Sequence, residues 1–394
     1  MFSRRTGWTL EENALSLRRA MLERSGRPIV DLTESNPTRC GFADPVAALR
    51  DAFAAAPLSP YAPEPFGLPA AREALFQDLG AQAPSSAEAL ILTASTSESY
   101  AWLFKLLCDP GDEVLVPQPS YPLFEYLAGL ESVRLVPYRL ELEEGFGMDL
   151  SSLDAAATER TRAVLLVHPG NPTGAFLHRG EHRALAGRCA QRGWALISDE
   201  VFLDYRETTD PDALGSLAVE PSPCLTAVLS GLSKRGGLPQ LKLAWMSLNG
   251  PEPLVREARA RLEIIADTAL SVGTPVQAAL PALLPIAAEL RAQLQVRVKQ
   301  NRVTLRRALP VDAPFHLLPS QGGWSALLRL PGDEDEEALC LALLGAGVAV
   351  QPGHFFDFPR GRFLVISLLP QPAVFARGVA LLIEGLAQAG LRGA

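Results

Sequence analysis

Short apolar runs alternate with segments of helical spacing through the middle of the chain. The apolar runs predict buried strands at 89–92, 163–167, 194–200, 223–230 and 241–248, and a turn followed by a strand at 109–117. Helical segments at 99–107 and 179–192 lie between them. Buried strands that alternate with helices are typical of parallel sheets. The sequence therefore predicts an α/β fold, a mostly parallel central sheet with helices on both faces.

The two ends of the chain have a different pattern. Residues Thr9 to Glu12 have the sequence of a capping box ahead of a predicted helix at 13–25. Further predicted helices lie at 45–56, 69–79 and 334–344, and helix-rich sequence runs over 251–309. We predict a large α/β domain at 45–285 and a small α+β domain formed by 1–44 and 286–394.

Composition narrows the class of protein without identifying it. Hydrophobic residues make up 48% of the chain and charged residues 20%, which favours a globular fold over disorder. The net charge is −8 and no basic stripe is present, so nucleic acid is not expected as a partner. The five cysteines are scattered, which indicates reduced thiols in a cytoplasmic protein. No run is apolar and long enough to predict a membrane span.

Small hydroxylated residues follow the predicted strand at 89–92. They form the turn at 93–98, and a helix comes directly after it. Backbone N–H groups and the dipole of a helix start attract anions, and the hydroxyl groups add donors. The turn is therefore a candidate anion site, and its alternative interpretation is an ordinary Ser/Thr helix cap.

Two further strands end in candidate groups. The strand at 163–167 leads into His168-Pro-Gly-Asn-Pro-Thr-Gly174, where two prolines and two glycines predict a rigid loop around Asn171. The strand at 194–200 ends in Asp199 and Glu200. An acidic pair beside an apolar strand needs a cation or hydrogen-bond donors, although Asp199 could also cap a helix.

Lys234 follows the apolar strand at 223–230 and precedes Gly236 and Gly237. Partial burial lowers the pKa of a lysine and makes its amine nucleophilic. Such an amine forms Schiff bases with carbonyl groups, most often with pyridoxal phosphate. An ordinary loop lysine is the alternative. Ligands of open α/β sheets bind at the carboxyl ends of the strands, where all these candidates lie.

Three segments in this order carry a family resemblance: the 168–174 loop, Ser198-Asp199-Glu200, and Ser233-Lys234-x-x-Gly-Leu-Pro. Together they resemble the fold type I, class I/II aminotransferases that use pyridoxal phosphate. The resemblance implies that Lys234 forms the Schiff base and that Asp199 pairs with the protonated pyridine nitrogen.

The remaining cofactor contacts are also implied by the resemblance. Asn171 would donate to the phenolic oxygen of the cofactor, Tyr121 would stack on its ring, and backbone amides of Thr96 and Ser97 would hold its phosphate. Tyr61 would reach the phosphate of a neighbouring subunit. This last role implies a homodimer whose active sites lie at the interface.

The chain departs from the family pattern around the cofactor. Phe202 stands where a tyrosine is usual and cannot donate a hydrogen bond. Lys242 replaces an arginine and loses its two-pronged phosphate contact. Gly231 replaces a phosphate-binding serine, for which Ser230 or Ser233 would compensate.

A fourth departure affects the substrate. Val365 stands where the family has an arginine that binds the substrate carboxylate, and Arg362 would point to the opposite face of its strand. Arg39 is one candidate replacement. The other interpretation is a substrate that is not a standard α-amino acid bound in the usual way.

These residues leave three functions open. The first is an aminotransferase that moves an amino group between an amino donor and a 2-oxo acid acceptor. The second is another pyridoxal phosphate reaction on the same fold: a β-lyase, decarboxylase, synthase or oxidase. The third is a non-catalytic cofactor-binding protein.

A few residues bear on the substrate. Phe355, Phe356 and Phe358 suggest an apolar pocket side or core packing, and Glu34 is a candidate contact for a basic group or a local cap. No arginine at 267–275 is placed to bind a second carboxylate, so a dicarboxylic substrate is not favoured.

Overall fold

The computed structural model describes residues 1–332 and 335–391. Glu334, the predicted first residue of one helix, lies outside the described residues, as do the last three residues of the predicted small domain. The helices are α1 Ala14–Arg24, α2 Val46–Ala54, α3 Pro69–Leu79, α4 Thr96–Leu107, α5 Phe124–Leu130, α6 Leu150–Ala156, α7 Arg179–Arg192, α8 Leu232–Arg235, α9 Glu252–Asp267, α10 Thr274–Ala308, α11 Glu336–Gly345 and α12 Pro372–Gln388.

The strands follow the same chain order. They are β1 Val30–Asp31, β2 Leu90–Thr93, β3 Glu113–Gln118, β4 Arg134–Glu141, β5 Gly147–Met148, β6 Thr161–Val167, β7 Ala195–Asp199, β8 Thr226–Gly231, β9 Ala244–Asn249, β10 His316–Leu317, β11 Ser325–Leu330, β12 Val348–Ala349, β13 Gln351–Pro352 and β14 Arg362–Ser367.

Eight strands form one sheet in the order β2-β9-β8-β7-β6-β3-β4-β5. The five strands from β8 to β4 are parallel neighbours, whereas β9 runs antiparallel to β2 and β8, and β5 is antiparallel to β4. The prediction of a mostly parallel α/β sheet is confirmed.

Helices cover both faces of this sheet because successive strand residues point to opposite sides. On one face Ile197 and Leu229 pack with Leu103 of α4. On the other face Leu196 and Val228 pack with α7. The two neighbouring strands β7 and β8 are thus buried on both sides up to the ends that carry the candidate groups.

A second sheet of four antiparallel strands has the order β10-β11-β14-β13. β1 pairs with β12 through Val30 and Val348, so the N-terminal segment packs with the C-terminal part of the chain. Arg297 of the long helix α10 donates hydrogen bonds to the carbonyl oxygens of Cys40 and Leu369, at 2.9 and 3.0 Å. The domain boundaries at 44/45 and 285/286 stay a prediction.

Two local predictions are wrong. The capping box does not start α1, because Asn13 is the capping residue and its Oδ1 accepts from the Ser16 N–H at 2.8 Å. The helix predicted to begin at residue 99 begins at Thr96, capped by Ser95. Among the described residues, no helix combines the length and apolar character needed to cross a membrane.

Candidate active site

Lys234 lies just beyond the carboxyl end of β8. The apolar strand ends at Gly231, and the chain turns directly into the short helix α8, which carries the lysine. The Tyr205 hydroxyl donates to the Lys234 carbonyl oxygen at 2.7 Å, so the lysine backbone is held from a neighbouring segment. The lysine is therefore presented on a fixed turn.

Aromatic rings surround the Lys234 amine. Its Nζ lies 5.3 Å from the ring centre of Trp324 and 5.9 Å from that of Phe202, and these two rings pack edge to face. Burial lowers the pKa of Lys234, and the Asp199 charge opposes this shift. A lysine with a lowered pKa has a larger share of its nucleophilic neutral form.

Asp199 ends β7, the strand beside β8, and is 7% exposed. Its carboxylate accepts hydrogen bonds from the Tyr100 hydroxyl at 2.8 Å and from the Val201 N–H at 3.1 Å. Burial raises the pKa of Asp199 above its ordinary value. Within the described chain this carboxylate has no ion-pair partner, so it is a buried acceptor suited to a cation supplied by a ligand.

The neighbouring acid, Glu200, faces the other side of the sheet. Its Oε1 accepts from the Leu217 N–H at 2.8 Å and from the Ser198 hydroxyl at 3.1 Å. Burial raises the pKa of Glu200 to about 7. The acidic pair of the sequence is therefore divided: Asp199 faces the Lys234 side, and Glu200 stabilises a loop behind the sheet.

The predicted anion site lies at the start of α4. The Ser95 hydroxyl oxygen accepts from the Glu98 N–H at 3.2 Å, and Thr96 and Ser97 are the first two helical residues, partly buried. The unpaired N–H groups at a helix start favour an anion. The start of α4 is therefore a candidate anion site, and its role toward a phosphate stays a prediction.

The strand register brings other predicted phosphate ligands to the same end of the sheet. Ala244 of β9 pairs with Thr93 on one side and with Gly231 on the other. Lys242 lies two residues before Ala244, exposed and in the left-handed backbone region at φ 51°. Lys242 and Ser233 thus lie at the strand ends beside the start of α4.

Ser230 does not join this group. Side chains alternate along β8, and Ser230 borders a small cavity together with Glu200 and Ser247, behind the sheet. The structure therefore separates Ser230 from the Asp199 face, and Ser233 is the remaining candidate to compensate for Gly231.

Gly231 is required by the close approach of β9. A Cβ at this position would lie 2.9 Å from the Cβ of Ala244, which is closer than side chains pack. We expect Gly231→Ser to lower the free energy of unfolding by about 1–3 kcal/mol, because overpacking forces the strands apart. Urea unfolding of the two proteins measures the loss. Adding Ala244→Gly should recover part of it, and an unchanged unfolding midpoint in the single variant would contradict the explanation.

Two further predicted residues lie on loops around Asp199. Tyr121 follows β3 and packs edge to face with Phe124; burial first, and then the Asp199 charge, raise the pKa of its phenol. The loop after β6 is tied to β7 by a hydrogen bond from the His168 N–H to the Asp199 carbonyl oxygen at 2.8 Å. In the described part of the chain the Asn171 side chain makes no hydrogen bond, so its amide is available.

Tyr61 is not brought to Lys234. It is 72% exposed and borders a separate pocket with Trp102, Leu270 and Val272. Its predicted role toward a neighbouring subunit is not tested by a single chain.

Lys234 borders a cleft that is open to solvent. Charged residues of the N-terminal segment line it: Arg19, Glu23, Asp31, Glu34 and Arg39. Val365 instead is 2% exposed and packs with Phe146, Leu327 and Phe356. Phe355 and Phe358 pack against the same cluster. The aromatic residues near 355 are thus in apolar packing around Val365.

Three residues beside Lys234 and Asp199 were not predicted from the sequence. Tyr100, Tyr205 and Trp324 contact Asp199 or surround Lys234 from α4, from a loop and from the turn before β11. Tyr100 follows Thr96 by four positions, so helical spacing from the anion turn would have indicated it. Trp324 is 90 residues from Lys234 along the chain, and no sequence pattern joins the two.

Comparisons with known proteins identify the family. The family model described as aminotransferase class I and II matches residues 28–371. The glutamate-pyruvate aminotransferase AlaA of Escherichia coli (strain K12) is 29% identical over 265 residues, which span 67% of this chain and 65% of that relative, slightly less than two thirds of its length. An alanine aminotransferase of Mycobacterium bovis is 25% identical over 379 residues, 93% of this chain and 86% of that protein.

Solved structures show the same fold. The alanine aminotransferase from Pyrococcus furiosus has a TM-score of 0.86 at 22% identity, over 98% of this chain and 100% of that chain. An aminotransferase from Escherichia coli has a TM-score of 0.85 at 23% identity, over 98% of both chains. Because the family model also matches most of its length, this chain belongs to the aminotransferase class I and II family.

Proposed function

We propose that this chain is a pyridoxal phosphate-dependent aminotransferase that moves an amino group between an amino acid and a 2-oxo acid. The observation that carries the proposal is the pair at the ends of β7 and β8. A lysine with a lowered pKa faces a buried carboxylate that has no ion-pair partner within the described chain. A cofactor with an electrophilic carbon and a cationic ring nitrogen satisfies both groups.

The residues present fit pyridoxal phosphate. The start of α4, with Thr96 and Ser97, suits its phosphate, and Ser233 and Lys242 lie at the same end of the sheet. Asp199 suits the ring nitrogen, Tyr121 the ring face, and the Asn171 amide the phenolic oxygen. When bound, this group supplies an electron-withdrawing ring that stabilises negative charge at the substrate Cα.

The protein residues have distinct tasks in this proposal. Lys234 would hold the cofactor through its Nζ, and the same amine would serve as the base that accepts the proton from the substrate Cα. The Tyr100 hydroxyl orients the Asp199 carboxylate. The rings of Phe202 and Trp324 cover part of the lysine amine, and Phe202 offers no hydrogen bond to the cofactor.

The buried Val365 favours a second candidate, another pyridoxal phosphate reaction such as β-elimination or decarboxylation. Strand β14 presents an apolar side chain at the position where the resemblance expects a carboxylate-binding arginine. A single-turnover reaction separates the two functions. Transamination converts the bound cofactor to its amine form, whereas the alternatives return the aldehyde form after product is released.

We also propose a homodimer in which Tyr61 reaches the partner's cofactor site. Its 72% exposure and its distance from the Lys234 cleft of its own chain support this role. The two-domain division and a cytoplasmic location belong to the same proposal, and the scattered cysteines support the location.

Borohydride reduction tests the covalent link. Treated holoenzyme should carry one reduced cofactor on the peptide that contains Lys234, as measured by mass spectrometry of a digest. A label on another lysine, or none, would falsify the proposed function.

A further inference from the structure

The family resemblance places the substrate carboxylate beside position 365 of strand β14. This position holds Val365, whose side chain packs with Phe146, Leu327 and Phe356 and offers no cation. A carboxylate bound there would be desolvated without a partner, which is costly. A substrate carboxylate therefore needs another cation near Lys234.

The segment before α2 is anchored to the same strand. The Ser367 hydroxyl donates to the Glu34 carbonyl oxygen at 2.7 Å, and the Ser367 N–H donates to the Leu32 carbonyl oxygen at 2.7 Å. Arg297 holds the Cys40 and Leu369 carbonyl oxygens at the other end of the segment. Residues 34–40 are thus fixed against the end of β14, although they are distant from it in sequence.

Arg39 is presented from this anchored segment. It lines the Lys234 cleft, its side chain is 75% exposed, and its partner Glu34 is 3.9 Å away. An ion pair at that distance adds little to stability when its guanidinium is exposed, so Arg39 can exchange Glu34 for another carboxylate.

The other arginine of the cleft is engaged. Arg19 forms ion pairs with Asp31 at 2.7 Å and with Glu23 at 2.9 Å. Two carboxylates already compensate its charge, whereas Arg39 has one distant partner. Lys234 is the group assigned to the cofactor.

We propose that Arg39 binds the α-carboxylate of the amino donor and of the oxo acid, replacing the cation missing from β14. The inference rests on the proposed aminotransferase function. Its chemistry is a two-pronged guanidinium–carboxylate contact, which fixes the substrate orientation as well as its charge. The cleft then selects donors that carry a carboxylate beside the reacting amine.

Steady-state kinetics of the holoenzyme tests this role. The proteinogenic L-amino acid that reacts fastest is compared with the amine that lacks its carboxylate. Arg39→Ala should raise KM for the amino acid about 10- to 100-fold, the cost of losing a hydrogen-bonded charge pair, and leave kcat/KM for the amine unchanged. Arg39→Lys should have an intermediate effect, because lysine keeps the charge without the fork. The cofactor absorbance should be the same in all variants.

Arg50→Ala is the matched control, since Arg50 is exposed on the following helix and does not line the cleft. If Arg39→Ala has the same KM for the amino acid as Arg50→Ala, the assignment of Arg39 is wrong. It is also wrong if Arg19→Ala, and not Arg39→Ala, raises KM for the amino acid alone. In both cases the proposed function still holds if wild-type protein transfers the amino group and carries the reduced cofactor on Lys234. If wild-type protein takes up no cofactor, both proposals fail.

Discussion

Lys234→Ala is expected to lower kcat for amino-group transfer by on the order of 10⁴-fold, because one side chain supplies both the nucleophile and the proton acceptor. Tyr205 holds the Lys234 backbone, and the rings of Phe202 and Trp324 lie beside the amine. The amine is therefore partly dehydrated, unlike a free amine in solution. Single-turnover absorbance of the reconstituted variant measures the loss directly.

A matched control is Lys299→Ala, since Lys299 is exposed on α10 and lies outside the Lys234 cleft. It should keep wild-type turnover. If added methylamine partly restores kcat in Lys234→Ala, the lost activity is due to the missing amine. Turnover within tenfold of wild type in Lys234→Ala would contradict the assignment of the lysine.

Asp199→Asn is expected to lower kcat by about 10²- to 10³-fold, the range seen when one preorganised electrostatic group is removed. Asparagine keeps the size of the side chain but cannot hold a proton on the ring nitrogen of the cofactor. Tyr100→Phe removes only the 2.8 Å hydrogen bond to Asp199, so we expect a loss of about tenfold. The graded series is measured as kcat together with the cofactor dissociation constant.

The stability of the cofactor-free protein separates a chemical effect from unfolding. Burial raises the folded-state pKa of Asp199 above that of the unfolded chain. A carboxyl group with a raised pKa favours folding at low pH, and this contribution is lost as the pH rises through the folded pKa. At neutral pH the buried charge therefore opposes folding, and Asp199→Asn should leave the cofactor-free protein as stable as wild type or more stable. Lower stability would indicate that Asp199 has a structural role.

Elements of the fold could be predicted where an apolar run is continuous, or where a proline or glycine marks the end of a helix. Helices α3 and α7 have the predicted bounds of 69–79 and 179–192, and the buried strands β6, β7 and β8 lie within one to three residues of their predicted positions. Strand β4 was missed because several of its residues are exposed or half-buried, which leaves no continuous apolar run. The false capping box at Thr9 has the right residue types, but Asn13 competes for the same helix start.

The three sequence motifs, taken in their order along the chain, predicted the residues at the centre of the candidate site. They did not predict the side chains that surround these residues. Lys234, Asp199 and Asn171 lie at or just beyond the carboxyl end of a buried strand, so a parallel sheet brings them to one edge. Tyr100 and Trp324 come from elements that reach this edge only after packing. Ser230 was a reasonable candidate by its distance from Lys234, but strand alternation places it behind the sheet.

The amino-acid sequence by itself determined which strands are buried and which residues follow their ends, because burial and turn chemistry are local properties of the chain. Only the tertiary structure decided that Asp199 takes the α4 face beside Tyr100, and that Arg39 shares a cleft with Lys234. Both arrangements depend on how elements that are distant in sequence pack together. The free energy of that packing comes from contacts between distant residues, which a local sequence pattern does not contain.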